Sequence, residues 1–381
     1  MRRGLSLREG GWVLIGAAIL FLAILAWAMA PAVLRLASRP PGDGATLSSY
    51  EFDLTNVRLP ETAVLQPAML HRDMIPVLDA PPSILTAQAV LDRAGTREKY
   101  LVDDDSVIGV EIGGEARAYP ISVLHVHELI HDELGGVPIV VTWHWPSASP
   151  VVFDRRVNGE VRRFGASGLV AGGNQVLYLR RTDGNVGGES LYSQLLGRSI
   201  TGPPQSLTTI PCRFTGWPQW REAYPDTTVA GRDEALKKRY KHGDPTAYYV
   251  SGGLIYDTPV PEDGLEPKEP VALVGGRDRH VRLVTGRGEL AEEGWEVIRA
   301  ARRQPPRLVE ANWNPRREDD HDDTGGTDGI DGTDGIGGTD GTDAPFVRHT
   351  LWHTAHALGL TPPVAGHPPT DAGHPPSPPT Q

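Results

Sequence analysis

Histidine is concentrated in one short segment of this chain, and its side chain is well suited to bind metal or transfer protons near neutral pH. Four of the thirteen histidines fall within residues 125–144, and residues 127–131 read His-Glu-x-x-His. In that motif two histidines one helical turn apart bind zinc, and the glutamate activates a water molecule. The spacing therefore allows a divalent-metal cofactor such as zinc, with Glu128 or Asp132 as the candidate catalytic carboxylate. The candidate metal ligands are His125, His127, His131 and His144.

The residues around the motif oppose the helix that zinc binding needs. Positions i and i+4 share a face only in a helix, yet Gly135-Gly136 closely follows His131 and a β-rich run comes next. In a strand, four residues span about 13 Å, which is too far for one zinc ion. A turn over residues 132–136 would instead place His127 beside His144. That arrangement leaves open both a looser metal or anion site and a purely hydrogen-bonded polar cluster.

Short strands, rather than helices, must position these side chains. Gly113-Gly114 separates two β-prone runs, and Asn158-Gly159 supplies the positive φ angles of a tight hairpin turn. The predicted fold class is therefore α+β and mainly β, with short antiparallel strands, hairpins and few helices. Residues 107–119 are echoed by residues 271–283, so two related halves and chance similarity both remain open. The predicted helices of the body cover residues 87–92, 191–196 and 294–303.

The N-terminus carries an apolar segment that is long enough to cross a membrane. Residues 12–34 contain no charged side chain, and at about 1.5 Å per residue they exceed the roughly 30 Å of a hydrocarbon core. Three arginines precede the segment and two follow it, which favours a cytoplasmic N-terminus. We expect a single-pass protein of the cell membrane with an extracytoplasmic body. A cleaved signal peptide is the alternative, because Ala28-Met29-Ala30 has the small-x-small form of a cleavage site.

Charge and cysteine content exclude several classes of function. The formal net charge is -11, and ten of the acidic residues lie within residues 318–343, which contain no lysine or arginine. The rest of the chain is nearly neutral and lacks the basic surface that nucleic-acid binding requires. Cys212 is the only cysteine, which excludes an intramolecular disulfide and a cysteine zinc cage. We interpret this thiol as a structural residue rather than a nucleophile.

A set of short motifs occurs in order along residues 64–230. They are Asp73-Met-Ile-Pro-Val-Leu-Asp79-Ala-Pro81, Val107-Ile-Gly-Val, Glu115-Ala-Arg117-Ala-Tyr119-Pro120, His127-Glu128, Gly135-Gly136-Val-Pro138, Val152-Phe153-Asp154-Arg155, Phe164-Gly165-Ala-Ser167-Gly168-Leu169 and Ser190-Leu-Tyr-Ser-Gln194. Together they resemble the family known as domain of unknown function 3179. The resemblance implies an exported or membrane-attached bacterial protein and supplies no established reaction.

This chain departs from the family's pattern at two places. Where the family has Cys-Pro-Leu-Cys, this chain has His144-Trp145-Pro146-Ser147, so neither thiol is present. His144 remains a candidate metal ligand, whereas Ser147 is a weak one. Where the family has Asn, this chain has His131, so the match to His-Glu-x-x-His is interpreted as coincidental.

Three functions are compatible with these features. The first is a membrane-anchored binding or interaction module that holds a metal or another ligand in a groove beside the hairpin. The second is a metal-dependent hydrolase that uses the cluster His127, Glu128, His131 and His144. The third is a degenerate structural relative without activity. The predicted ligand-binding residues are Arg117, Tyr119, His127, His144 and Ser147.

The predicted organisation runs through eight segments. Two of them have the composition of disordered chain, because repeated Thr-Asp-Gly and repeated proline cannot form an apolar core. In order, the segments are a cytoplasmic N-terminus (1–11), a transmembrane helix (12–34), a linker (35–55), a domain that resembles the family (56–232), a shorter β-rich half (233–317), a disordered acidic insert (318–343), a short helix (344–361) and a disordered Pro-rich tail (362–381).

Overall fold

The chain divides into two compact units, Met1–Pro41 and Gly42–Gln381. The predicted disordered segments, 318–343 and 362–381, lie outside the residues that the structure describes, as does most of the predicted cytoplasmic N-terminus. The structure, a computed structural model, describes residues 11–37, 40–94, 100–183, 187–241, 245–260, 266–275, 281–285, 295–299, 309–313, 346–358 and 360.

The described part of the first unit is helix α1 (Gly11–Ala37). Its sequence is rich in alanine and leucine, which favour helix. The consecutive residues 19–22, Ile-Leu-Phe-Leu, are each 60–66% exposed. Because consecutive side chains point in different directions around a helix, this stretch exposes apolar groups on every side. Within the described residues, no helix is both long enough and apolar enough to span a membrane.

The second unit is built mainly from short strands. In chain order they are β1 (Leu65–Pro67), β2 (Ile84–Thr86), β3 (Ser106–Ile112), β4 (Glu115–Pro120), β5 (Leu129–Leu134), β6 (Val137–His144), β7 (Ser149–Asp154), β8 (Arg156–Val157), β9 (Glu160–Val161), β10 (Phe164–Ala171), β11 (Asn174–Leu179), β12 (Leu191–Ser193), β13 (Arg198–Ser199), β14 (Thr209–Ile210), β15 (Arg213–Gly216), β16 (Thr228–Ala230), β17 (Pro270–Gly275), β18 (Val281–Thr285), β19 (Trp295–Arg299), β20 (Val309–Trp313) and β21 (Phe346–Leu351).

Short helices connect these strands. The α-helices are α2 (Ala87–Ala94), α3 (Ile121–His127), α4 (Trp217–Ala223), α5 (Thr246–Val250) and α6 (Trp352–Ala357). Single 3-10 turns cover Leu47–Tyr50, Trp145–Ser147, Glu234–Leu236 and Arg239–Lys241.

The described strands form three larger sheets and three smaller ones. The larger sheets have the strand orders β1-β10-β11-β12-β13, β14-β7-β6-β5 and β15-β3-β4-β16-β2. The smaller ones are β18-β17-β21, β19-β20 and β8-β9. Among these described ladders, β4 and β16 pair in parallel and the others are antiparallel. The prediction of a mainly β fold with short antiparallel strands and few helices is therefore confirmed.

Two hairpins show how glycine sets the local fold. Asn158 and Gly159 have φ angles of 53° and 79° between β8 and β9, as the sequence predicted. Gly135 and Gly136, with φ angles of 55° and 73°, join β5 to β6. The latter hairpin places Leu129 opposite Thr142, so the end of β6 lies beside the start of β5. This is the hairpin that carries the histidine-rich segment.

The sheet that contains β5 and β6 is buried on both faces. Side chains alternate between the faces of a strand, and Ile130 and Val141 pack into one hydrophobic core while Leu129 and Val140 pack into another. The first core also contains residues of β3, β4 and α3, and the second contains residues of β7, β10 and β11. Polar residues on this sheet are therefore divided between two separate environments.

The short helix predicted over residues 344–361 is helical only at α6, because Phe346–Leu351 forms β21. Two other predicted helices are wrong. Residues 191–193 form β12, which pairs with β11 and β13, and residues 295–299 form β19, which pairs with β20. In both cases pairing with a neighbouring strand overrides a local helical preference. Helix α2 confirms the helix that was predicted over residues 87–92.

The two segments that echo each other in sequence also share an arrangement of strands. β3 pairs with β4 and with β15, and α4 follows β15 directly. β17 pairs in the same way with β18 and with β21, and α6 follows β21. Each of these helices begins at a tryptophan, Trp217 in α4 and Trp352 in α6.

Candidate functional site

The junction between α3 and β5 carries the His-Glu-x-x-His motif. α3 ends at His127, Glu128 follows with a φ of 54°, and β5 begins at Leu129. The Glu128 amide donates to the Leu124 carbonyl oxygen (2.8 Å), and the Glu128 carbonyl oxygen accepts from the Trp143 amide (2.8 Å). A positive φ is uncommon for a residue with a Cβ, and such residues cluster at functional sites. The motif lies at the entry to a hairpin, as its context predicted, and its two histidines do not share a helical face.

Glu128 is a buried acid with a neutral hydrogen-bond partner. It is 3% exposed, and one carboxylate oxygen accepts a hydrogen bond from Gln175 Nε2 (2.6 Å). Burial raises the pKa of Glu128 from its ordinary value of 4.5 to about 8, because a charged carboxylate is costly away from water. A carboxyl group that titrates near neutral pH can bind or release a proton under physiological conditions, which is typical of functional acids.

Glu128 and Gln175 line a small cavity, which we call the Glu128 cavity. Its volume is about 20 Å³, enough for about one water molecule. Met74 also lines it and is 44% exposed, so the cavity lies close to the surface. Gln175 Oε1 is buried and has no hydrogen-bond partner among the described residues, which is unusual for a buried polar atom. The lining residues are Ala68, Met69, Met74, Ile75, Glu128, His144, Ala166, Ser167, Gly168, Leu169, Val170, Gln175, Val176 and Tyr256.

His144 is the second titratable group of the cavity, at the last position of β6. Its ring stacks on Tyr256, with centroids 6.0 Å apart and an interplanar angle of 16°. Its Nδ1 lies 2.7 Å from Ser147 Oγ. Burial lowers the pKa of His144 to about 3, so the imidazole is neutral at physiological pH. It therefore offers a hydrogen bond rather than a positive charge.

Ser147 belongs to a buried polar network behind the cavity. Its Oγ lies 2.8 Å from Ser149 Oγ and accepts from Asn174 Nδ2 (3.1 Å). Ser149 Oγ donates to Gln194 Oε1 (2.8 Å). Ser147 is fully buried and does not line the Glu128 cavity. The predicted ligand-binding residue Ser147 thus lies where it can orient His144 but cannot be reached from the cavity.

His127 has a structural environment away from the cavity. Tyr240 Oη accepts from the Asp233 amide (3.0 Å) and lies 2.7 Å from His127 Nε2. The tyrosine therefore donates its proton to Nε2, and His127 Nδ1 donates to the Pro76 carbonyl oxygen. Burial lowers the pKa of His127. Both ring nitrogens are engaged, so this histidine links α3 to the segment around Asp233 and Tyr240.

The other two candidate metal ligands have separate neighbours. His131 Nε2 accepts from the Phe164 amide (3.0 Å), and its Nδ1 lies 3.4 Å from Asp79 Oδ1. The His125 ring lies 6.0 Å from the Trp143 ring. The described residues contain no group of three histidine, cysteine, aspartate or glutamate side chains that could hold a metal ion. The geometry therefore does not support the proposed zinc cluster of His125, His127, His131 and His144.

Arg117, Tyr119 and Asp132 form a cluster of their own. Arg117 Nη1 donates to Asp132 Oδ2 (2.5 Å), and Tyr119 Oη donates to the same oxygen (2.7 Å). Asp132 lies on the face of β5 that Ile130 shares, whereas His144 lies on the opposite face of the sheet, because side chains alternate along strands. The structure therefore divides the predicted groove into two sites. Asp132 joins β4 to β5, and none of these three residues lines the Glu128 cavity.

The sequence did not identify Gln175 or Tyr256 as site residues. Tertiary packing brings both residues to the cavity. Gln175, for example, is 47 positions after Glu128 in the sequence. The one local signal near Gln175 is the turn at Gly172-Gly173, where φ is positive at both residues. That turn predicts a hairpin and carries no information about which side chain faces an acid.

Comparison with known proteins gives one match. No curated protein and no solved structure matches the chain. The model of a family described as a protein of unknown function, DUF3179, matches residues 72–318, which is more than half of the chain. The match extends beyond the motifs of residues 64–230 and takes in strands β17 to β20. The chain therefore belongs to the DUF3179 family.

Proposed function

We propose that this protein is a membrane-anchored, extracytoplasmic module that binds a small ligand in the Glu128 cavity. One observation carries the proposal: the buried acid Glu128 and Gln175, whose Oε1 has no hydrogen-bond partner among the described residues, line the same near-surface cavity. Folded proteins leave few buried polar atoms without partners, because each costs free energy. A bound ligand that supplies the missing hydrogen bond would remove that cost.

Both halves of the second unit contribute to the proposed site. Glu128, His144 and Gln175 come from the first half, while Tyr256 from the later part of the chain covers the His144 ring. Thr350 Oγ1 at the end of β21 donates to the Ser147 carbonyl oxygen (3.1 Å). The matching strand arrangements around β3 and β17 support a relationship between the two halves. In this proposal the second half completes the site that the first half begins.

The proposed anchor is residues 12–34, which lie within helix α1. Its support is the exposure of apolar side chains on every side at residues 19–22, which is a pattern expected of a helix surrounded by lipid. Reporter fusions after residue 60 test the topology: alkaline phosphatase should be active and β-galactosidase inactive. An inactive phosphatase fusion would contradict the extracytoplasmic body. A mature N-terminus at residue 31 would contradict the uncleaved anchor.

Ligand binding is tested with three probes of different charge. Acetamide, acetate and methylammonium are mixed in turn with the full chain in detergent micelles, and saturation-transfer NMR measures contact. We expect at least one probe to receive signal from the wild-type chain and from Glu160→Gln but not from Glu128→Gln. Glu160 is a suitable control because its side chain is 71% exposed and lies outside the cavity. If no probe behaves in this way, binding in the cavity is refuted and a structural role without activity is favoured.

A proton-transfer enzyme is the second candidate. The observation that favours it is the pKa of Glu128, which burial raises to about 8 so that the carboxyl is mainly protonated at pH 7 and can serve as a general acid. In this proposal the Glu128 carboxyl group is the acid that carries the activity. Hydrolysis of p-nitrophenyl acetate that Glu128→Gln abolishes and Glu160→Gln retains would favour the enzyme. Equal background rates in both variants would exclude this reaction.

A further inference from the structure

We infer that the ligand of the Glu128 cavity presents a small ammonium group, which the Glu128 carboxylate and Gln175 Oε1 bind together. This inference rests on the proposed function and names the chemical class of its ligand. It follows from the balance of charge and hydrogen-bonding groups around the cavity.

The charges around the cavity favour a cationic ligand. No lysine or arginine is among the described residues that line the cavity. Burial is the cause of the raised pKa of Glu128, with no basic group acting on it. Buried carboxylates are stable when a cation pairs with them. The described lining therefore provides no basic side chain to pair with the Glu128 carboxylate. For the same reason it provides no positive charge for an anionic ligand.

The polar network behind the cavity accommodates either neutral tautomer of His144. Each hydroxyl of the Ser147–Ser149 pair can donate to the other, and Gln194 Oε1 accepts from Asn174 Nδ2 (2.8 Å) as well as from Ser149 Oγ. His144 Nδ1 can therefore donate to Ser147 Oγ or accept from it. The hydrogen-bonding groups that decide the ligand class are thus those of Glu128 and Gln175.

Glu128 and Gln175 together offer hydrogen-bond acceptors to a ligand in the cavity. Gln175 Nε2 donates a hydrogen bond to Glu128. Gln175 Oε1 has no hydrogen-bond partner among the described residues. Glu128 contributes its carboxylate oxygens once it ionises, and a bound cation favours that ionised form. An ammonium group carries three donors and no acceptor, which complements this set. The oxygens of a carboxylate or phosphate ligand are themselves acceptors, so they could not form hydrogen bonds with the Glu128 carboxylate or Gln175 Oε1.

Thioether and aromatic groups form part of the cavity lining. Met69 and Met74 bring thioethers, and the stacked rings of His144 and Tyr256 form one wall. Aromatic faces attract cations by their quadrupole. Thioether groups are soft and adaptable, so they can accommodate a short alkyl chain. With a volume of about 20 Å³, the cavity admits the charged head of a ligand, and the remainder would lie toward Met74 and solvent.

The test is calorimetric titration of the full chain in detergent micelles with methylammonium chloride, with sodium chloride at equal concentration as the blank. We expect saturable heat for the wild-type chain and for Glu160→Gln. Glu128→Gln should weaken binding at least about tenfold, since it removes a charged hydrogen bond. Gln175→Leu should weaken it by roughly threefold to tenfold, since it removes a neutral acceptor.

Two results would overturn the inference. One is heat that does not exceed the sodium chloride blank, and the other is equal affinity in Glu128→Gln and Glu160→Gln. If the melting curve shows that Glu128→Gln does not fold, Gln175→Leu decides, and an unchanged affinity in that variant rejects the ammonium site. The probe comparison separates the two proposals. If acetamide or acetate binds in a Glu128-dependent way and methylammonium does not bind, the ammonium inference is rejected and the proposed ligand-binding function is retained. If no probe binds, both the inference and the proposed function are rejected.

Discussion

Replacing Glu128 with glutamine should remove a pH dependence of stability that the wild-type chain carries above neutral pH. The folded state holds the pKa of this carboxyl at about 8, against an ordinary value of 4.5. Between these two values the unfolded chain has lost a proton that the folded chain still binds. Stability is therefore fully present below pH 4.5 and falls as the pH rises toward 8.

The magnitude follows from the size of the shift. Each pH unit between the two pKa values costs up to about 1.4 kcal/mol of unfolding free energy. From pH 6.5 to pH 8 the loss attributable to Glu128 is about 1.5 kcal/mol, because the slope flattens as the folded carboxyl begins to ionise. Glutamine has nearly the same shape and no charge, so the variant should lack this loss. The variant should thus gain stability relative to the wild-type chain as the pH rises.

Buried histidines act in the opposite direction and must be separated from this effect. Burial lowers the pKa of His131 and His144 to about 3 and that of His353 to about 4, and it also lowers the pKa of His127. The histidines contribute to the free energy of unfolding above their ordinary pKa of 6.5. That contribution is lost as the pH falls through the lowered pKa values of the folded state. Because both chains contain these histidines, the difference between wild type and Glu128→Gln isolates the carboxyl.

The assay is urea unfolding of the full chain followed by tryptophan fluorescence at pH 5, 6.5 and 8. The free energy of the wild-type chain minus that of Glu128→Gln should become more negative by about 1.5 kcal/mol between pH 6.5 and 8. Glu160→Gln, which changes an exposed carboxyl, should show no such trend. A difference that stays constant across the three pH values would refute the argument that Glu128 is buried without a charged partner.

A Cβ at Gly109 would lie 2.2 Å from the Trp220 ring, so Gly109→Ala should cost about 1–3 kcal/mol. Scanning calorimetry should show a lower melting temperature for that variant and no change for Gly252→Ala, which meets nothing within 4 Å; equal effects would contradict the packing. Burial raises the pKa of Cys212 to about 12, so a thiol reagent at pH 8 should react slowly with the folded chain and rapidly in urea. Rapid reaction without urea would show that the thiol is accessible. His127→Ala should lower the melting temperature and keep methylammonium affinity within about twofold, because its ring nitrogens bind protein groups. Lost affinity at an unchanged melting temperature would contradict that role.

The sequence predicted those features whose cause is local. The turns at Asn158-Gly159 and Gly135-Gly136 were predictable because few residues other than glycine and asparagine adopt positive φ. The helix expected over residues 191–196 failed because Leu191–Ser193 pairs with strands on both sides. Such pairing depends on which segments meet in space, and a local pattern does not contain that information.

Only those residues of the candidate site that a local sequence pattern marks were predictable. Glu128 and His144 were identified from their residue types and their places on the hairpin, and both line the cavity. Gln175 and Tyr256 were missed because each reaches the cavity from a distant part of the chain. Asp132 was predicted to lie near His144 because both residues are on the same hairpin. The alternation of side chains along β5 and β6 instead puts Asp132 and His144 on opposite faces of the sheet, and Arg117 of β4 contacts Asp132.

The positions of His144 and Ser147 bear on the kind of chemistry that this member of the family can perform. The resemblance pairs them with two cysteines, and here a hydrogen bond of 2.7 Å joins the two side chains. Neither carries a thiol, and Cys212 packs against the core that contains Trp143, with its pKa raised by burial. Ser147 is buried behind the cavity, and His144 lines the cavity as a neutral imidazole. In our proposal, recognition at this site rests on Glu128 and Gln175 and does not involve a thiol.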